Sequence, residues 1–203
     1  MKQLLEMKPG KNSVTQKDSS LKVMIVGEGG QGIQTVAKIL TSASFTHNYH
    51  TSYLPNFGTE QRGGISIAFV QISTQHIITP KFKVADIFLI VSNRNIERTL
   101  GYVGTQTHVL CDVSLLTPAT VEKLKKRSRS VFPIDAFQHA ITRFTERNYN
   151  VIILGILVGL IDPKLSSEVL SKMDTTFDKY YRKDSKLKAL NHQSFELGLT
   201  LTQ

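Results

Sequence analysis

The stretch LKVMIVGEGGQG, residues 21–32, decides the fold: a mainly apolar run breaks into a glycine-rich turn where a long amphipathic stretch begins. Residues 23–26 read as a short strand, and Ile33, Val36, Ala37, Ile39 and Leu40 recur at helical spacing. Between them Gly27, Gly29 and Gly32 stand at G-x-G-x-x-G spacing, with Gly30 as an extra glycine. Gly27 permits the tight turn off the strand, Gly29 and Gly30 let backbone N–H groups approach a ligand, and Gly32 lets the helix pack closely on the sheet. The helix that starts near Ile33 offers its unsatisfied N–H groups and positive dipole end to an anion. Glycine clusters also mark ordinary turns, but strand, turn and helix in this order favour an anion-binding turn.

A dinucleotide site commonly places Asp or Glu about 20 residues further on, at the end of the second strand, to hold the ribose hydroxyls. Residues 48–53, Asn-Tyr-His-Thr-Ser-Tyr, contain no acid. Ordinary NAD binding loses ground there, while NADP or coenzyme A remains compatible.

Outward from the turn, strand-like runs recur at residues 65–72, 84–91 and 107–111, with weaker ones at 48–54 and 130–134. Helix-like segments fall at 33–44, 96–102, 118–126 and 136–145. The alternation predicts an α/β fold: a wound, mostly parallel sheet with helices on both faces and a Rossmann-like start. Within residues 66–78, SIAFVQISTQHII reads as strand, polar break and strand, a hairpin that makes the sheet mixed. From Asn150 onward the chain reads as helices, broken at Asp162-Pro163 and near Asp184-Ser185.

The chain of 203 residues suits one domain, expected over residues 21–203, behind a disordered extension at residues 1–20 that lacks a packable pattern and a secretory apolar core. Its longest apolar stretch, residues 151–161, is about half of the ~20 residues that a membrane span needs. The single cysteine, Cys111, excludes a disulfide framework and any thiolate-built zinc or iron–sulfur site, and reads as a small core residue in a cytoplasmic protein. The net charge of +9 favours acidic or phosphorylated partners. Lys123, Lys125, Lys126, Arg127 and Arg129 form the densest basic cluster, read first as a solvated helix C-terminus. Without an accompanying nucleic-acid-binding pattern it gives specific nucleic-acid recognition little support.

A second constellation is PNFGTEQRGG, residues 55–64, directly after the second expected strand. Arg62 there suits forked contacts to a phosphate or carboxylate if this loop shares a sheet edge with the glycine turn, with Glu60 orienting it. Taken together, GEGGQG, FGTEQRGG, VADI at Asp86, NVIILG from Asn150 and NHQSFELG near the end resemble the gamma subunit of 2-oxoacid:ferredoxin oxidoreductases. The match runs from about Leu21 to the C-terminus, and the loop is also similar to the beta subunit of indolepyruvate oxidoreductase.

The resemblance implies a complex that oxidatively decarboxylates a 2-oxoacid, such as pyruvate or 2-oxoglutarate, to its acyl-CoA. Thiamine diphosphate and iron–sulfur clusters are then expected on separate alpha, beta or delta subunits, with ferredoxin as electron acceptor. This chain is left to assemble the complex and help bind coenzyme A, the isolated chain being inactive. Gly29, Gly30, Gln31 and Gly32 would line the cofactor, with Gly27 shaping the turn, Arg62 reaching the site and Asn93 contributing. Asn150 and Asn191 fall in matching motifs, although capping or packing explains them equally. Two other readings stay open. One is a stand-alone NAD(P)-dependent dehydrogenase, whose histidines His47, His50, His76 and His108 show no recognisable spacing; the other is a basic module binding nucleic acid or an acidic protein.

Overall fold

Val23, Met24, Ile25 and Val26 are all fully buried, which requires their strand to lie inside a sheet covered on both faces. The structure, a computed structural model, describes residues 20–58 and 63–202. The buried strand is β1 (Ser20–Glu28), and the glycine turn leads from it into α1 (Ile33–Thr46). There follow β2 (His50–Phe57), β3 (Ile65–Ser73), β4 (Ile87–Ile90), α2 (Ile96–Thr99), β5 (His108–Asp112), α3 (Pro118–Lys125) and β6 (Ser130–Ile134). Four further helices complete the order: α4 (Ala136–Arg143), α5 (Tyr149–Ile161), α6 (Ser166–Tyr181) and α7 (Lys186–Thr200).

The six strands are ordered β2-β3-β1-β4-β5-β6. β4, β5 and β6 run parallel to β1, while β3 is antiparallel to both of its neighbours, β1 and β2. The sheet is thus mixed and mostly parallel, as expected, but the antiparallel member arises differently. Residues 66–78 do not form a hairpin. β3 runs unbroken from Ile65 to Ser73 because β1 and β2 pair with its full length, and the hairpin is β2–β3, closed by the loop after Phe57. β3 also occupies the place beside β1 that the second strand takes in a Rossmann sheet. Residues 48–53, read as the end of the second strand, lie instead at its start, on the rim away from the glycine turn.

Alternate residues of β1 feed two cores. Val23 and Ile25 pack with α1 and the helices α4 to α7, whereas Met24 and Val26 pack with Phe88, Ile96 of α2 and Leu124 of α3. Helices therefore cover both faces. The apolar run at residues 151–161 is helix α5, buried around its circumference by its position between α1, α4 and α7. Gly155 and Gly198 permit the α5–α7 crossing: a Cβ on Gly155 would lie 2.2 Å from the Phe195 carbonyl oxygen, and one on Gly198 would lie 2.2 Å from that of Ile152. At the head of this crossing the Asn148 amide donates to Asn191 Oδ1 at 2.9 Å, and the Asn191 amide donates to the Tyr181 hydroxyl at 3.0 Å. Asn191 thus has a packing role.

Cys111 is a fully buried residue of β5. Lys123 and Lys125 sit in the last turn of α3, paired with Glu97 and Glu122, which agrees with a solvated helix end. Among the described residues no helix is long and apolar enough to cross a membrane. The expected extension at residues 1–20 lies, apart from Ser20, outside the described residues.

Candidate functional site

β1 ends at the carboxyl rim of the parallel strands, where wound sheets hold their ligands. The turn that follows is built on two left-handed glycines, Gly30 with φ 101° and Gly32 with φ 75°. Gly32 is the N-cap of α1, and a Cβ there would fall 2.2 Å from the Asn150 amide nitrogen, so α5 lies directly against the turn. Gly30 is the opposite case, with nothing within 4 Å of an added Cβ. The Gly29 N–H donates to the Gly64 carbonyl at 2.9 Å, which ties the root of the β2–β3 loop to the turn. The described ends of the PNFGTEQRGG loop, at Phe57 and Gly64, thus lie at the same sheet edge as the glycine turn, and Arg62 lies outside the described residues.

One side of the turn is filled. The Gln31 side chain folds back under it, accepting from the Glu28 N–H at 2.6 Å and donating to the Val91 carbonyl at 3.2 Å. A Cβ on Gly27 would lie 2.6 Å from that Gln31 oxygen, so Gly27 is required by the clamp. Buried Ser92 donates to Glu28 at 2.7 Å, buried Asn95 donates to the Gly27 carbonyl at 2.9 Å, and the Arg94 guanidinium reaches Glu28 at 3.6 Å. This network occupies the crevice between β1 and β4, the point at which a doubly wound sheet admits a dinucleotide. Asn93, at the same rim, serves α3: its side-chain oxygen accepts from the Thr117 N–H at 3.2 Å and from the Thr120 hydroxyl at 2.6 Å.

The other side of the turn is open. A cleft of about 520 Å3 is lined by Gly29, Gly30, Gln31, Phe137, Glu146, Arg147, Tyr149 and Asn150. Of the expected site residues, Gly29, Gly30 and Gln31 line it, Gly27 and Gly32 shape the turn, and Asn93 faces α3. The first residues of α5 supply the opposite wall. Among the described residues, Asn150 Oδ1 is a buried side-chain polar atom with no hydrogen-bond partner, whereas the Tyr149 hydroxyl is turned toward the Asp112 carboxylate. Both residues line this one cleft.

Behind Tyr149 stands Asp112, fully buried at the end of β5. It accepts from the Ser114 N–H at 3.0 Å and from the Phe137 N–H at 2.9 Å. Burial pushes its carboxyl above the usual range, against the lowering effect of these donors. Burial foremost, then the Asp112 charge, also holds the Tyr149 hydroxyl protonated far above its ordinary range, so it remains a donor. The Phe137 ring meets Tyr149 edge-on at 5.5 Å, which fixes the wall. The arrangement offers the Gly30 N–H, one amide acceptor, a phenol and, at the exposed mouth, the Arg147 cation beside the Glu146 carboxylate.

Sequence reasoning missed Phe137, Glu146, Arg147 and Tyr149 as lining residues and left Asn150 undecided. The dense polar run Arg147-Asn148-Tyr149-Asn150 directly before the apolar helix was the available signal.

A family model for pyruvate ferredoxin/flavodoxin oxidoreductase matches residues 22–201. The ketoisovalerate oxidoreductase subunit VorA of Methanothermobacter marburgensis is 30% identical over 140 residues, 69% of this chain and 28% of that protein. This chain therefore spans little more than a quarter of that relative. The 2-oxoglutarate synthase subunit KorC of Archaeoglobus fulgidus is 26% identical over 182 residues, 89% of each chain. In fold, the chain superposes on the 2-oxoglutarate:ferredoxin oxidoreductase of Magnetococcus marinus, solved with 2-oxoglutarate, coenzyme A and succinyl-CoA bound, with a TM-score of 0.76 at 21% identity. That likeness covers 92% of this chain and 31% of the other.

Proposed function

From the premise that the chain belongs to the pyruvate ferredoxin/flavodoxin oxidoreductase family, we propose that it is the gamma-type subunit of a multi-subunit 2-oxoacid oxidoreductase and helps hold coenzyme A. The observation that carries the cofactor reading is the buried Asn150 Oδ1, which has no hydrogen-bond partner and lines one cleft with the glycine turn and Tyr149. A buried polar atom without a partner costs about 1–3 kcal/mol, and a ligand that satisfies it recovers that cost on binding. Coenzyme A matches the set. Its pyrophosphate suits the Gly30 N–H and the Arg147 cation, and its amide or amine N–H groups suit Asn150 Oδ1. Arg62, which lies outside the described residues, is assigned to the same cofactor. The filled crevice between β1 and β4 speaks against the NAD(P)-dehydrogenase reading, because the Gln31 clamp occupies a dinucleotide's usual entry.

The redox chemistry belongs to other chains. An iron–sulfur cluster needs several thiolates, and the one cysteine of this chain is buried with its thiol pushed up to about 11, chiefly by burial. Among the described residues no cluster of His, Cys, Asp and Glu could hold a metal ion. Thiamine diphosphate and the clusters are accordingly assigned to alpha, beta or delta subunits, and ferredoxin to the complex as acceptor. The residues of this chain bind and orient the acyl acceptor.

Mild affinity purification of the tagged chain from its native cells tests this reading. Larger partners carrying thiamine diphosphate and iron–sulfur clusters are expected, with viologen reduction that requires both a 2-oxoacid and coenzyme A. A lone chain, or partners without that activity, would contradict it.

A further inference from the structure

The amino-terminal rim of the sheet, opposite the glycine turn, carries a second cleft of about 540 Å3. The loop over residues 75–84 forms one wall, and Ser20, Lys22 and Gln71 of β1 and β3 form the floor. Its lining is mostly basic: Lys22, Lys81, Lys83 and His76 line it, with the Asp86 carboxylate held at its edge by the Lys22 N–H at 2.8 Å. Lys81 and Lys83 are exposed, and the Lys81 ammonium stands 5.6 Å over the Phe69 ring, which directs it along the cleft wall. The positive surface continues sideways. Val84 packs on Gly104, where an added Cβ would lie 2.9 Å from Val84 Cγ1. Beside Gly104 the Arg127 guanidinium donates to the Val103 carbonyl at 3.3 Å, and Arg129 donates to Gln106 at 3.1 Å. Amid these cations Ile78 is 90% exposed and Val84 is 45% exposed, the former being the most exposed large apolar residue described.

We propose that this rim is a docking surface for the acidic face of a partner protein, with one apolar side chain of that partner covering Ile78. Exposed apolar residues ringed by like charges are the pattern of a protein contact, with an anchor at the centre and a charged rim that steers and orients. A nucleic-acid strand fits less well, since single strands need exposed aromatic faces for stacking. The aromatic side chains here, Phe69 and Phe82, are buried at 1% and 7% exposure. The inference does not depend on what the glycine-turn cleft binds.

Zero-length carbodiimide cross-linking, which joins lysine amines to carboxylates, tests it on the tagged full chain purified with its associated proteins at low salt. Lys81 or Lys83 is expected to be joined to Asp or Glu of an associated protein. The double variant Lys81→Glu, Lys83→Glu should lose those links and release that protein at severalfold lower salt, while Ile78→Asp should release it without altering the chain's own melting temperature. Both substituted surfaces are exposed, and an unchanged melting temperature confirms folding. The proposal is overturned if Lys81 and Lys83 form no such links, if the charge reversal leaves the release salt unchanged, or if nuclease treatment releases the bound material.

Discussion

Two regions of the molecule are glycine-marked, and they use the residue in opposite ways. At the α5–α7 crossing, Gly155 and Gly198 stand where a methyl group would run into backbone at 2.2 Å, so glycine there buys contact. At the β1–α1 turn, Gly30 stands at φ 101° with nothing within 4 Å, so glycine there provides an open backbone edge. Gly32 combines the two, being left-handed and pressed against Asn150. Substitution at the crossing should therefore cost stability alone, while substitution at the open turn should cost ligand binding with a smaller loss of stability.

The largest effect is expected at the crossing. Gly155→Ala forces α5 and α7 apart and should destabilise the fold by about 3 kcal/mol, read from the shift of the urea midpoint. A change below about 1 kcal/mol would mean that the crossing is not close-packed. Gly32→Ala should follow, at about 2 kcal/mol, from the left-handed backbone and the Asn150 contact together. Gly30→Ala carries the backbone term alone, about 1 kcal/mol, and should weaken coenzyme A use in the assembled enzyme. Equal losses of stability at Gly30 and Gly32 would erase the distinction between open and pressed glycine.

The contrast also shows what the sequence disclosed. The strand, turn and helix around residues 21–46 were legible because each rests on local pattern: apolar run, glycine spacing and helical period. Residues 66–78 misled because a polar break ends β3 at Ser73, and nothing local reveals that both neighbouring strands pair with its whole length. Asn150 was ambiguous for a similar reason. Its contact with Gly32 is made by the tertiary packing of α5 on α1, and sequence spacing carries no trace of it. Gln31 was read as a lining residue from its place in the motif and does line the cleft, but its clamp on Glu28 and Val91, which needs β4 beside β1, was not legible there.

Smaller effects separate the helical layer from the turn. Asp174 of α6 holds His192 at 2.7 Å and Lys188 at 2.8 Å on α7. Burial pushes its carboxyl up, but the hydrogen bonds from Lys188 and His192 outweigh it and leave the group below the ordinary aspartate range. A carboxyl lowered by folding contributes stability above its unfolded value and loses it as pH falls through the folded value. Wild type should therefore melt higher than Asp174→Asn at pH 7, with the gap closing as pH falls below the ordinary aspartate range. A gap that stays constant would remove the pair from the α6–α7 contact. Cys111 marks the low end of the scale. With its thiol pushed up to about 11, it should resist iodoacetamide in the native chain at pH 8 and react on unfolding. Rapid native labelling would place β5 nearer to solvent than it stands.

The central claim is that the cleft between the glycine turn and α5 holds coenzyme A, and Asn150→Ala in the assembled enzyme tests it most directly. Removing the amide should raise the apparent KM for coenzyme A about tenfold, the weight of one buried hydrogen bond, while kcat and the 2-oxoacid KM stay within twofold. An unchanged KM for coenzyme A, with the complex intact, would contradict the account.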